Sequence, residues 1–333
     1  MTRILLVSPS FHGYWRSIAQ AFEARGYDVV AHLYDSLPNA ISKARHKLAF
    51  ELPRQIGVDS SEAVRNDLTS KAVRALAGAR PDVVVTVKGD LLGTDWRVAT
   101  QGIPRVTWLY DELRRMRYQP GDLAEAGPIA SYSALDVATL RTSNIDATYL
   151  PLAFDQRLGI PQRTHWNPEV VFIGARYPKR EVDLLALAAA GIPVRAFGRF
   201  WSRHVVDRAR TWQWRRPDLT SGRDLSRPDA YRWQAEAAAA INVHGDQDGF
   251  TMRTFEVCGV GGLQLIDRPD VGELYEPDRE LLVFTNTEEL IEGALRALGD
   301  PSGTERIRGA AQRRTLAHHT FDHRIAVLEE LWD

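Results

Sequence analysis

Short apolar runs, each followed by a turn and then a helical pattern, constrain this chain more than any other feature. Arg3–Ser8 is such a run; it ends at Pro9 and leads into a helix-period stretch from Tyr14 to Arg25. Gly26 closes that helix, and Asp28–Leu33 reads as a second strand. Unbroken apolar strands are buried on both faces, as happens where helices cover both sides of a mostly parallel sheet. Residues 37–79 read as helical, with a helix start at Ser60–Ala63. Pro81–Val87 is a buried strand ending at Lys88, Arg105–Tyr110 another ending at Asp111, and Ala147–Leu150 a third short run.

A proline-bearing interval from Pro151 to Pro168 interrupts this pattern, and a fresh one follows. Glu169–Ile173 reads as a strand, 174–180 as a loop, Glu181–Ala190 as a helix and Pro193–Phe197 as the next strand. Ala237–Val243, Gly262–Ile266 and Leu281–Phe284 are further strands, Thr287–Leu298 is a helix, and 303–317 and 321–332 are terminal helical stretches. The pattern predicts two doubly wound α/β domains, over 1–155 and 165–316, with 317–333 as a helix packing back on the first. A chain of 333 residues is long for one core and suits two. Open α/β sheets bind ligands beyond the C-terminal ends of their strands, here in an expected cleft between two sheets. The polar residues at those ends are therefore the candidates.

Composition narrows the function. The chain is 44% apolar and 26% charged, with a formal net charge of −1, a balance that argues against a general nucleic-acid binder. No signal-like segment follows Met1 and no apolar run approaches bilayer length, so no membrane span and a cytoplasmic location are expected. The one cysteine, Cys258, excludes an intrachain disulfide and reads as a buried thiol.

The segment Asp248–Gly262 is the richest in chemistry. Asp248 and Glu256 are eight positions apart, a little over two helical turns, with Arg253 between them and glycines after. A helix beginning near Thr251 would turn its free amides toward Asp248, Gly249 and Phe250, and such an N-terminus suits a phosphate. Arg253 would add a charge-assisted hydrogen bond, and Glu256 would accept from sugar hydroxyls. An ordinary amphipathic helix with solvated charges is the alternative.

The residues Phe172–Glu181, Phe197–Trp201, Arg253–Gly259 with Gly262, Glu288–Leu290 and His318–Arg324 resemble the CgeB-like (spore maturation protein) glycosyltransferases, relatives of the family-four enzymes of GT-B fold. Pro81–Val83, Trp108–Asp111 and Tyr149–Asp155 extend the resemblance more loosely into the first half. It implies a GT-B architecture of two Rossmann-like domains, the first binding an acceptor and the second a nucleoside-diphosphate sugar. Glu256 and Asp248 match the family's paired acids, which contact ribose and donor sugar; the aspartate is one methylene shorter than the family's glutamate. Gly174, Arg176, Lys179 and Arg180 match the loop whose basic residues hold the diphosphate. The resemblance implies no cofactor and no metal, with retention of configuration favoured. Asp246–Asp248 spells a DxD metal pattern that belongs to a different glycosyltransferase fold.

His12, at the end of the first strand, and Asp111 are rival candidates for a catalytic base or acceptor-orienting group. His244 is placed to touch donor sugar or phosphate, or to sit as a hydrogen-bonded loop residue. His319 and His323 have metal-like i, i+4 spacing, but a terminal helix start explains them better. Trp201, Trp212 and Trp214 alternate with arginines, which is either a core tryptophan in a solvated excursion or an acceptor or partner surface. Arg114, Arg115 and Arg117 read as a solvated helical face. No P-loop, GxGxxG, GxSxG or CxxC pattern is present. The expected activity is glycosyl transfer to an acceptor that is a small molecule, glycan or protein. Nucleotide-sugar epimerisation, or a non-catalytic sugar-nucleotide-binding or spore-surface assembly role, is the alternative.

Overall fold

The computed structural model describes residues 1–35, 61–119 and 121–332; the helical reading of 37–60 lies outside the described residues. The chain divides into two compact units, Met1–Pro151 with Phe321–Asp333, and Leu152–Thr320.

In the first unit, β1 (Arg3–Ser8), β2 (Asp28–Leu33), β3 (Val83–Val87), β4 (Arg105–Trp108), β5 (Ile129–Ser131) and β6 (Ala147–Tyr149) form one parallel sheet in the order β2-β1-β3-β4-β5-β6. Ile4, Leu5, Leu6 and Val7 are all fully buried, so side chains on both faces of β1 are covered, as an unbroken apolar run requires. Among the described residues its helices include α1 (Tyr14–Ala24), α2 (Ser61–Ala79), α3 (Thr94–Ala99) and α4 (Ala134–Thr142). Leu5, Val7, Val84, Ala72 and Trp96 share one side of the core. The C-terminal helix Phe321–Trp332 belongs to this unit: Phe321 meets Trp108, Trp332 meets Phe22, and Arg25 Nε donates to Glu329 at 2.6 Å.

The second unit holds β7 (Asn167–Ile173), β8 (Val194–Phe197), β9 (Thr220–Gly222), β10 (Ala237–Asn242), β11 (Gln264–Ile266) and β12 (Leu282–Val283), all parallel, in the order β12-β11-β10-β7-β8-β9. This is the strand order of a dinucleotide-binding fold, and its direction reverses between β7 and β10, where such sheets bind ligands. Its helices are α5 (Pro178–Ala189), α6 (Val205–Thr211), α7 (Arg227–Glu236), α8 (Met252–Gly259), α9 (Thr287–Gly299) and α10 (Pro301–His318). Phe172, Ile241, Leu265, Trp201 and Leu290 lie in one buried cluster.

One local expectation changes. Residues 178–180 are not loop: Pro178 opens α5, its fixed φ suiting the first helical turn, so Lys179 and Arg180 project from that turn. The helix expected to begin near Thr251 does so: α8 starts at Met252, and Asp248 lies in the bend before it.

Candidate functional site

Side chains from four strand ends of the second unit converge at the β7–β10 reversal. After β7, Gly174 lies beneath Arg253 of α8: a Cβ built on it would stand 3.5 Å from Nη1. Gly198, after β8, sits so close to Gly174 that its own Cβ would come within 2.6 Å of the Gly174 carbonyl oxygen. Its φ of +144° also falls where side chains are disfavoured, so glycine is required there. Trp201 completes this corner by donating from Nε1 to the Gly174 carbonyl at 2.9 Å. It is the buried tryptophan of its stretch, whereas Trp212 and Trp214 are exposed.

His244, two residues past β10 and only 3% exposed, is the hub of the second wall. Its backbone N–H donates to Asp267 Oδ1 at 2.8 Å, and Nδ1 lies 3.2 Å from the same oxygen. Nε2 accepts the backbone N–H of Thr251 at 3.3 Å and meets the Thr254 hydroxyl at 3.2 Å. An amide can only donate, so Nε2 is unprotonated and the proton resides on Nδ1, facing the carboxylate. Burial holds the imidazole below its ordinary pKa, outweighing Asp267, while Arg268 and Arg253 push the same way as burial. Asp267 is drawn below the usual carboxylate range by its bonds to His244 and by Lys179, although burial opposes this. His244 therefore acts as the acceptor that fixes the start of α8.

Thr251 is the N-cap of α8 but makes no side-chain cap bond, and its buried hydroxyl has no partner among the described residues. The loop before it is held by Arg268, which donates to the carbonyls of Gln247 and Asp248 at 2.6 and 2.7 Å and stacks 4.5 Å over Phe250. Phe250 and Gly249 are buried, and Asp248 is half-buried. Glu256 is 7% exposed, with Arg227 Nε at 4.0 Å; Arg227 also reaches Asp155 at 3.2 Å. Along α8, Phe255 and Cys258 are buried, and burial drives the Cys258 thiol well above its ordinary pKa, which suits a structural role.

The three basic residues of the β7–α5 connection differ in their commitments. Arg180 is spent on backbone carbonyls, those of Ala175 at 3.0 Å and Val243 at 2.5 Å, and so ties β7 to β10 across the reversal. Lys179 is half-exposed, 3.0 Å from Asp183 and 4.0 Å from Asp267. Arg176 pairs with Glu181 at 2.7 Å.

In the first unit, the ends of β1, β3 and β4 border a cavity of about 560 Å³ that includes Phe11, Lys88, Tyr110, Asp111, Arg115 and Arg117 in its wall. Lys88 Nζ pairs with Asp111 at 3.0 Å. His12, Lys88 and Tyr110 all have positive φ, of +46°, +62° and +53°, and such strain in side-chain-bearing residues concentrates at functional sites. His12 sits on an exposed turn, and Phe11 rather than His12 lines the cavity. Arg115 and Arg117 are exposed, as expected, and border the cavity, but Leu113–Arg115 is a single tight turn and not the expected helical face. His319 is buried against Tyr275 and bonds the Leu274 carbonyl. Among the described residues no group of three or more His, Cys, Asp or Glu is arranged to hold a metal ion.

With this geometry in place, residues 180–330 match the family model for glycosyl transferase-like domains. The fold is GT-B: the structure is similar to the sucrose-phosphate synthase of Thermosynechococcus elongatus, with a TM-score of 0.69, 16% identity, and 100% and 98% of the two chains covered. It is also similar to Anabaena Alr3699/HepE in complex with UDP and glucose (0.68, 13%, 99% and 100%). A third likeness is to the UDP-GlcNAc 2-epimerase of Neisseria meningitidis bound to UDP-GlcNAc (0.60, 9%, 99% and 99%). No curated protein matches the sequence. Among the described residues no helix is long and apolar enough to cross a membrane.

In the second unit, the sequence points to Gly174, His244, Thr251, Arg253 and Glu256 but not to Asp267, Arg268 or Thr254; Asp267 and Arg268 directly follow β11.

Proposed function

We propose that the protein transfers a sugar from a nucleoside-diphosphate sugar to an acceptor, with the second unit holding the donor and the first unit's cavity taking the acceptor. One observation carries this reading: in a glycosyl transferase-like domain, the uncapped start of α8, Arg253 and the Gly174 turn meet at the β7–β10 reversal. Exposed amides at a helix start and a guanidinium beside them favour a diphosphate, and they stabilise the negative charge that grows on it as it leaves. Arg253, Lys179 and Arg176 supply that positive charge without a metal or other cofactor. Glu256, one turn into α8, accepts from ribose hydroxyls, and Asp248, whose loop Arg268 anchors, faces the donor sugar. His244 acts on the donor indirectly, by fixing Thr251. Asp111, aligned by Lys88, orients the acceptor hydroxyl, and retention of configuration is the stereochemistry this donor half favours. The relatives bound to UDP or UDP-GlcNAc make a uridine nucleotide the first donor to test. Within GT-B enzymes the CgeB-like group is the family assignment we favour, and the compartment is the cytoplasm.

The test is a thermal-shift screen of nucleotide sugars on the native protein and on Glu256→Gln, which keeps side-chain volume beside Arg227. A donor that raises the native Tm but shifts the variant much less supports the assignment. Equal shifts sink the role of Glu256, and no shift with any nucleotide sugar sinks the donor reading. Product analysis without acceptor separates transfer from epimerisation, which consumes donor alone.

A further inference from the structure

Beside the donor site, the excursion between β8 and β9 and the start of α5 border a second cavity of about 560 Å³, with Arg176, Tyr177, Phe200, Trp214 and Arg215 in its wall and one carboxylate, Glu181, paired with Arg176. Large aromatic side chains are normally covered, yet Tyr177 is 58%, Trp214 57% and Trp212 85% exposed. Between residues 199 and 216 there are six arginines and one acid, Asp207. Arg199, Arg203 and Arg176 have carboxylate partners in Asp224, Asp218 and Glu181. Among the described residues Arg208, Arg210 and Arg215 have none. Burial, with Arg176 and Arg208 nearby, holds Arg216 below its ordinary pKa, against the opposing pull of Asp207.

We propose that this cavity binds an acidic glycan chain. Tryptophan and tyrosine rings offer flat faces to the C–H faces of pyranose rings, and guanidinium forks match the acidic groups between them. A nucleic acid has the same two chemistries; the match of residues 180–330 to glycosyl transferase-like domains favours a sugar chain. A membrane surface is disfavoured because Tyr177, Phe200 and Trp214 line a concavity instead of forming one projecting face. The proposal goes beyond the transferase reading: this cavity is distinct from the first unit's cavity that takes the acceptor, and binding here needs no donor.

The test is equilibrium binding, by fluorescence anisotropy without donor, of labelled hexamers of galacturonic acid, of heparin and of neutral maltohexaose, and of an oligothymidylate of matched charge. The same preparations are screened for a donor-induced Tm shift. The expected result is binding of at least one acidic hexamer more tightly than both the neutral one and the oligothymidylate. Trp214→Ala and Arg215→Ala each weaken it about tenfold, whereas Trp166→Ala, an exposed tryptophan outside the cavity, leaves it unchanged. Arg215→Lys recovers part of the loss, because charge is kept and the fork is not. No acidic-glycan binding, equal binding of the neutral chain, tighter binding of oligothymidylate, or insensitivity to both cavity variants overturns the proposal. Glycan binding without a donor shift leaves this site standing and sinks the transferase reading; a donor shift without glycan binding does the reverse.

Discussion

Replacing His244 by phenylalanine keeps a ring in the same buried space and removes both nitrogens. The Thr251 N–H loses its acceptor, and an orphaned buried amide costs about 1–3 kcal/mol. The Nδ1 bond to Asp267 also goes, and a hydrogen bond to a charged group is worth about 1.5–3 kcal/mol. The Thr254 hydroxyl retains Asn242 Nδ2 at 3.1 Å, so it adds little. The expected total is about 2.5–6 kcal/mol, read as a lower midpoint at unchanged slope in urea unfolding. The pH dependence gives a second readout. With its folded pKa depressed below 6.5, His244 binds its proton more readily in the unfolded chain. Its contribution is therefore complete above pH 6.5 and declines as the pH falls from there toward the folded pKa, by at most about 1.4 kcal/mol per unit. Because His32 is also depressed by burial, the decisive quantity is the native-minus-variant difference, which should shrink as the pH falls below 6.5. A cost below about 1 kcal/mol, or a difference independent of pH, would refute the assignment of Nε2 as the acceptor that fixes α8.

Two further outcomes follow from the same geometry. Gly198→Ala forces a Cβ to within 2.6 Å of the Gly174 oxygen at a φ of +144°, so unfolding midpoints should fall by about 2–4 kcal/mol and the donor shift should weaken; a stable variant with a native donor shift would show that the two turns need not touch. Asp111→Asn breaks a half-exposed ion pair worth at most about 1 kcal/mol, so Tm should barely move and the donor shift should persist while transfer to acceptor slows; unchanged transfer would remove Asp111 from the acceptor site.

Much of this fold was legible in the sequence because its central strands, such as β1 and β3, are buried on both faces, and the apolar run of the half-exposed edge strand β2 is bounded by a glycine turn. The Arg3–Ser8 and Asp28–Leu33 runs coincide with β1 and β2 to the residue. β5 and β9 are three residues each, Ile129–Ser131 and Thr220–Gly222, too short for any period to show, and α7 has only a weak apolar stripe. At the site, the start of α8 one residue after Thr251 was readable from local chemistry. What holds it was not: His244 and Asp267 are 23 positions apart, and Arg268 grips the carbonyls of residues 20 and 21 positions away. Sequence spacing made Arg180 a phosphate ligand candidate, whereas tertiary packing gives its guanidinium two backbone carbonyls.

The central claim is that a donor diphosphate rests on the start of α8 under Arg253. Titration calorimetry of UDP into the native protein and into Arg253→Met tests it most directly. The account predicts saturable binding by the native protein and about 10- to 100-fold weaker binding by the variant, the worth of one charge-assisted hydrogen bond. Equal affinity in the two proteins, or no binding of UDP or any other nucleoside diphosphate to the native chain, would contradict it.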